Sequence, residues 1–253
     1  MEEIFELIDD SIKVRPKPAV YISGGLDSTI VLHHLWAKCE EPIYTYTAKF
    51  GKDDDTTQAR RVAEHYCTIH KEVEITDFID QLPEILATFD RPRYNVWLYF
   101  LAKAAHEDGR KTVYVGEGAD EHFGGYEHMD YLLGWANHIA YIVPAYVYTH
   151  KPFGIDVQMP IKDVDWEETQ EYYDDDKWML RETYQGIIPD FVTRAPKTPP
   201  TFTKWWKFWD RELKRHVPGY TPKSEDDVRL VLQYLVAKKW VEVIEKRITQ
   251  KVA

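Results

Sequence analysis

Seven residues constrain this chain more than any others. Ser23-Gly24-Gly25-Leu26-Asp27-Ser28-Thr29 follow the apolar run Ala19-Val20-Tyr21-Ile22 and open a helix-patterned run from Ile30 to Lys38. The order is strand, glycine turn, helix start. Adjacent glycines let a backbone approach a ligand closely, and Ser28 and Thr29 are expected to bond the unpaired amides of the helix's first turn, where the dipole favours an anion. Such a turn is a phosphate cradle. It lacks the Gly-Lys-Ser ending of the common ATPase loop, and Asp27 stands where phosphate would sit. A carboxylate beside a polyphosphate calls for Mg²⁺ between them.

A second turn repeats the arrangement. The strand run Lys111-Thr112-Val113-Tyr114-Val115 leads into Gly116-Glu117-Gly118-Ala119-Asp120-Glu121, again glycine-flanked, acidic and entering a helix. Open α/β sheets bind ligands at the carboxyl ends of their strands, so two such turns mark one site.

The remaining pattern fits that layering. Glu3 to Ile12 reads as an amphipathic helix, Ile43 to Ala48 as a second strand, Asp54 to Cys67 as a helix and Ile69 to Ile75 as a third strand. Helices follow from Thr76-Asp77 and over Asn95 to His106, with Thr112 to Val115 as the fourth strand. Strands alternating with helices imply a doubly wound parallel sheet with right-handed crossovers. Beyond Tyr126 the reading is of helices only, with a break or kink at Pro144. The last helix starts at Ser224 and runs to about Lys246, with Leu230, Val231, Tyr234, Leu235, Trp240, Val243 and Ile244 as its apolar face.

Lys plus Arg number 32 against 43 Asp plus Glu, a net charge of −11. That balance argues against a general binder of nucleic acid or of anionic membrane, and any ATP would need Mg²⁺ and a few placed cations. No long uncharged apolar run is present, and the acidic start Met1-Glu2-Glu3 is unlike a signal peptide. A cytoplasmic location is therefore expected. Cys39 and Cys67 read as reduced and partly buried, with no metal-ligand spacing.

The two turns together resemble the SGGxDS and GEGxDE motifs of the synthetase domain of asparagine synthetases. The resemblance implies an adenine-nucleotide α-hydrolase-like fold with a C-terminal helical extension, divided as 1–126 and 127–253 or counted as one domain. It implies an AMP-forming ligase that activates the aspartate side chain as an acyl-adenylate, releases pyrophosphate and transfers ammonia. Tyr21, Ile22, Ser23, Gly24, Gly25, Asp27, Ser28, Val115 and Gly116 are then the ATP and pyrophosphate residues. Asp27 and Asp120 are then the Mg²⁺ ligands, and Glu117 takes a proton from incoming ammonium or holds it in place.

The resemblance continues through Asp54, Ala59, Val62, Thr68, His70 and Glu72. For His70 a hydrogen-bonded histidine at a strand edge is expected. Gly154 to Asp163 is similar to the family's G-x-E-x-R-x-P-F-L-D turn, with Gln158 in place of arginine and Lys162 in place of leucine. Lys177-Trp178-Met179-Leu180-Arg181 matches K-x-x-L-R, a charged pair read as structural. Arg194-Ala195-Pro196-Lys197 matches the R-x-K loop that crosses the site, making Lys197 the second catalytic candidate. Family members carry an amino-terminal glutaminase with cysteine after the initiator Met; with Glu2 here and the phosphate loop reached by Ser23, none is expected. Ammonia would be free or come from a separate glutaminase subunit, and a homodimer is a further candidate assembly.

Two other readings stay open. One is a β-lactam-synthetase-like or other amide ligase with a different acceptor, against which Glu117 argues. The other is a non-catalytic ATP-binding partner subunit, against which the joint presence of Asp27, Glu117, Asp120 and Lys197 argues. A tRNA-modifying relative would want a basic face.

Overall fold

The computed structural model describes residues 2–51, 56–92, 95–125, 134–136, 138–174, 176–195, 210–221 and 224–252. In chain order the first half runs α1 (Glu2–Ser11), β1 (Pro18–Tyr21), α2 (Leu26–Lys38), β2 (Tyr44–Lys49), α3 (Thr57–His65), β3 (Ile69–Glu74), α4 (Phe78–Leu86), α5 (Leu98–Glu107), β4 (Thr112–Tyr114) and α6 (Ala119–Phe123). Then come α7 (Val143–His150), β5 (Asp156–Gln158), α8 (Trp166–Thr169), α9 (Trp178–Thr183), α10 (Asp190–Thr193), a helical stretch over 210–216, and α11 (Glu225–Val252).

The sheet is parallel throughout, in the order β3-β2-β1-β4-β5. Its strands alternate cleanly between two cores. Ala19, Tyr21, Val113 and Val115 point to one side, where α4, α5, α7 and α11 cover them. Val20, Ile22 and Tyr114 point to the other, against α1, α2 and α3. A strand shows successive side chains to opposite faces, so apolar residues at every position require helices on both sides. The sheet is doubly wound, as the sequence led one to expect.

Beyond Tyr126 the structure corrects the reading of helices only. β5 pairs with β4 through Thr112↔Asp156, Val113↔Val157 and Tyr114↔Gln158. With one apolar residue in three, the strand carries no local signal; its partner supplies the reason to be extended. The expected break at Pro144 falls where a π-helical segment, His138–Ile142, gives way to α7, and the proline sits in the first turn of that helix, a position that tolerates its missing N–H. Cys67 is also corrected, for it is exposed and has φ 51°, whereas Cys39 is half-buried. Asp54 lies outside the described residues.

Because β1 leads to β2 on one side and is flanked by β4 on the other, the connection reverses direction between β1 and β4. A crevice at the carboxyl ends of these two strands follows from that order.

Candidate active site

The first turn leaves β1 at Tyr21 and enters α2 at Leu26, four residues earlier than the apolar pattern indicated. Gly24 has φ 81°, and a Cβ there would lie 2.5 Å from the Ala59 amide nitrogen. Glycine is required on both counts. Ser28 and Thr29 do not cap the helix, a correction with a simple cause: both already lie inside its first turn. Thr29 Oγ1 donates to the Gly25 carbonyl at 2.7 Å, while Ser28 Oγ accepts from the Ser23 amide at 3.3 Å. Gly25 occupies the cap and offers no side chain to the first-turn amides; its own amide donates to Ser23 Oγ at 3.2 Å, and Ser23 and Gly25 are exposed. The start of α2 is thus open to an anion.

The second turn leaves β4 and packs directly on the first. A Cβ on Gly116 would meet the Ser28 amide nitrogen at 2.6 Å and the Asp27 carbonyl carbon at 2.7 Å. This close approach brings Asp27 of α2 and Asp120 of α6 together. Tyr21, Ile22 and Val115 are buried. The Ile22 amide donates to Tyr46 O and the Val115 amide to Gln158 O, so these residues shape the crevice chiefly by holding the strand ends in register.

Between the two aspartates lies a cation that sequence reasoning placed elsewhere. Lys177 Nζ donates to Asp27 Oδ1 and Oδ2 at 2.8 and 2.7 Å and pairs with Asp120 Oδ1 at 2.6 Å. Lys177 is 3% exposed and has φ 54°, an uncommon backbone state for a side chain of this size. Burial alone would lower its pKa, but Asp27 and Asp120 together hold it raised. The K-x-x-L-R lysine is therefore part of the site. Its helix is fixed from behind, because Tyr184 OH donates to His34 Nε2 at 2.6 Å and His34 Nδ1 donates to Asp9 at 2.8 Å. Burial brings His34 down to about 4 despite Asp9, so the imidazole is neutral and can serve both partners. Arg181, the other member of the motif, donates through Nη1 to the carbonyls of Thr193 and Ala195 at 2.9 and 2.8 Å. It anchors the chain entering the R-x-K segment; Lys197 lies outside the described residues.

Glu117 is half-buried and accepts a hydrogen bond from Tyr146 OH at 2.8 Å. Burial raises its carboxyl above the usual range; Tyr146 pulls it down, while Glu121 and Asp120 push it up. The α7 helix that carries Tyr146 is tied to β1 as well, since Tyr21 OH bonds His150 Nε2 at 2.8 Å. His150 Nδ1 reaches the Tyr146 carbonyl at 2.7 Å, an acceptor only, so that nitrogen carries the proton. Tyr146 belongs to the aromatic-rich run from Met129 to Tyr148, which reads from sequence as core.

His70 Nδ1 meets Thr45 Oγ1 at 3.0 Å at the edge pair of strands, as expected for a structural histidine. Gln158 bonds Asp156 within β5. Among the described residues, no group of three or more His, Cys, Asp or Glu side chains is arranged to hold a metal ion. No described helix is long and apolar enough to cross a membrane.

The family model described as asparagine synthase matches residues 4–150. A probable glutamine-hydrolysing asparagine synthetase from Dictyostelium discoideum is 35% identical over 127 residues, covering 42% of this chain and 23% of that protein. An amidase, chry2, from Gibberella zeae is 30% identical over 149 residues, 50% of this chain and 22% of its own length. The chain thus spans about a fifth of the length of these relatives. An NH₃-dependent NAD synthetase from Campylobacter jejuni, solved with nitrate, is similar at a TM-score of 0.42 and 14% identity, covering 94% of this chain and 92% of that one.

Proposed function

Since the chain belongs to the asparagine synthase family, we propose that it is an ATP-dependent carbon–nitrogen ligase that activates a carboxylate, most simply the aspartate side chain, as an acyl-adenylate and converts it to an amide with ammonia. The observation that carries this reading is the convergence of the two glycine turns at the ends of β1 and β4, with Lys177 bonded to both Asp27 and Asp120.

The roles follow from chemistry. A carboxylate oxygen leaves poorly, so attack of that oxygen on the α-phosphorus of ATP, with loss of pyrophosphate, makes a mixed anhydride whose leaving group is AMP. Backbone groups of Ser23, Gly24 and Gly25, the open start of α2 and the Ser28 hydroxyl would receive the pyrophosphate. Two convergent carboxylates, joined by no third His, Cys, Asp or Glu in a metal-holding group among the described residues, suit Mg²⁺, which keeps waters and shares its remaining positions with phosphate. Asp27 and Asp120 would hold it, and it would neutralise phosphate charge. Lys177 already bonds those same oxygens, so in this reading it is the second cation that balances an acidic crevice against an incoming polyphosphate.

Glu117, with its carboxyl raised by burial, is a better proton acceptor than an ordinary glutamate and would take the proton of ammonium as nitrogen attacks the activated carbonyl. The Tyr146 hydroxyl aims it. Lys197 would stabilise charge on the adenylate and the tetrahedral intermediate. Ammonia would come free or from a separate glutaminase subunit, and dependence on cellular ATP makes the cytoplasm the expected compartment.

The test is to incubate the protein with ATP, Mg²⁺, ammonium and single amino acids, following pyrophosphate and the amide product. Stoichiometric AMP, pyrophosphate and asparagine are expected with aspartate. ADP and phosphate as products, or pyrophosphate release indifferent to every carboxylate, would contradict the reading.

A further inference from the structure

Lys177 is set in place by its own segment before it meets either carboxylate. It caps α9 in a left-handed backbone state, φ 54° and ψ 36°, which a lysine holds only where its surroundings impose it. Asp174 imposes it here: Oδ1 accepts from the amides of Asp176 and Trp178 at 2.9 and 2.7 Å, and Oδ2 from the amide of Met179 at 3.1 Å. The Asp174 amide in turn donates to the Phe123 carbonyl at 3.3 Å, and a Cβ on Gly124 would lie 1.5 Å from the Asp174 carbonyl oxygen. The start of α9 is thus pinned to the end of α6, the helix that carries Asp120.

The ammonium has three protons, and three oxygens surround it. These are Asp27 Oδ1, Asp27 Oδ2 and Asp120 Oδ1, and with Lys177 only 3% exposed, solvent ions do little to screen the charge. Two carboxylates and one ammonium leave a single net negative charge between the turns. A divalent cation taken up alone through the same oxygens would make that balance positive and would face a held ammonium at close range, where like charges repel. A polyphosphate restores the balance, because it brings several negative charges and further oxygen ligands for the metal.

We propose that Lys177 bars the Asp27 and Asp120 carboxylates to a free divalent cation, so that metal enters only in company with a polyphosphate. The inference rests on the reading of these two aspartates as metal ligands given above. Lys177 then makes the crevice specific for the metal–polyphosphate complex over its separate parts. Such coupling is reciprocal: what the polyphosphate adds to the affinity for metal, the metal adds to the affinity for polyphosphate.

Equilibrium dialysis of the whole chain against Mn²⁺, which takes oxygen ligands as Mg²⁺ does, reads binding without turnover. The parent should retain no stoichiometric Mn²⁺ at concentrations that saturate it once pyrophosphate is present. Lys177→Met should bind Mn²⁺ alone at least about tenfold more tightly than the parent, and its urea midpoint should rise in Mn²⁺ while that of the parent does not. Lys177→Gln keeps a donor for one carboxylate and should show the same gain, so the outcome does not hang on the folding of one variant. Adding Asp27→Asn to either should abolish the gained site. A parent that takes up Mn²⁺ alone as tightly as the Lys177 variants would overturn the proposal, and so would a gained site that survives Asp27→Asn. A parent already saturated with Mn²⁺ before pyrophosphate is added would overturn it without recourse to any variant. Pyrophosphate that raises Mn²⁺ retention in neither parent nor variants would instead contradict the ligase reading, and the comparison in metal alone would still decide on Lys177.

Discussion

The Lys177 ammonium bonds both carboxylate oxygens of Asp27, 150 positions away in sequence, and reaches Asp120 with the same nitrogen. One buried cation thereby joins the two glycine turns and the α9 segment. Lys177→Met keeps the side chain's length and removes its charge, leaving two carboxylates facing each other. Breaking a buried ion pair costs ~3–5 kcal/mol, and the lower end applies here because Asp27 and Asp120 keep 31% and 25% of their side-chain surface exposed. Urea denaturation should show a loss of about 3 kcal/mol or somewhat less at neutral pH. A variant as stable as the parent would mean that the aspartates do not depend on Lys177.

Gly116 tests the meeting of the turns by space alone. An added methyl would stand 2.6 Å from the Ser28 nitrogen, with main chain as the obstacle and no flexible side chain to yield. Gly116→Ala should therefore push the second turn off the first and separate Glu117 and Asp120 from the start of α2. A displacement near 1 Å in a site of this kind costs about 10²-fold in turnover. The check is kcat at saturating ATP; a value within a few-fold of the parent would show that the contact is slack.

Glu117 links stability to pH. Its carboxyl is raised in the folded chain, so the folded state holds that proton more tightly than the unfolded state does. Stability from this group is accordingly greatest when the carboxyl is protonated and falls as pH rises from the ordinary carboxylate value through the raised one. Glu117→Gln removes the charge and keeps an acceptor for Tyr146. The variant should gain stability relative to the parent as pH is raised from about 4 to about 8, while losing ammonia-dependent turnover. A stability difference independent of pH would contradict the raised carboxyl.

Tyr146→Phe removes the donor that favours the Glu117 carboxylate and should move its titration further up. The acidic limb of kcat/KM for ammonium should shift to higher pH, with KM for ATP little changed. An unshifted limb would assign Tyr146 to packing alone.

Much of this was legible in the sequence. The strands β1 and β4 announced themselves as short apolar runs, β2 by its β-forming Tyr and Thr residues and β3 by alternation, and the two turns by their glycines and carboxylates. Their junction could be read from sheet topology before any coordinates. Lys177 could not, because its burial depends on two carboxylates that come from distant helices; the K-x-x-L-R spacing marked the residue without revealing what it faces. β5 was invisible, as Asp156-Val157-Gln158 is a strand only because β4 lies beside it. In α11 periodicity found the apolar residues but could not say which of them meet the core: Leu230 and Tyr234 are exposed, while Leu235 and Val243 are buried.

The central claim is that carboxylate activation passes through an acyl-adenylate in the crevice between the two turns, and oxygen transfer tests it most directly. Aspartate labelled with ¹⁸O in its side-chain carboxyl should be supplied with ATP, Mg²⁺ and ammonium, and the nucleotide product analysed by mass spectrometry. The account requires one ¹⁸O in each AMP formed, since the labelled oxygen attacks phosphorus and leaves with it, and requires the label transfer to vanish in Asp27→Asn and Asp120→Asn. Label in inorganic phosphate with ADP as the nucleotide product, or AMP free of ¹⁸O, would contradict it.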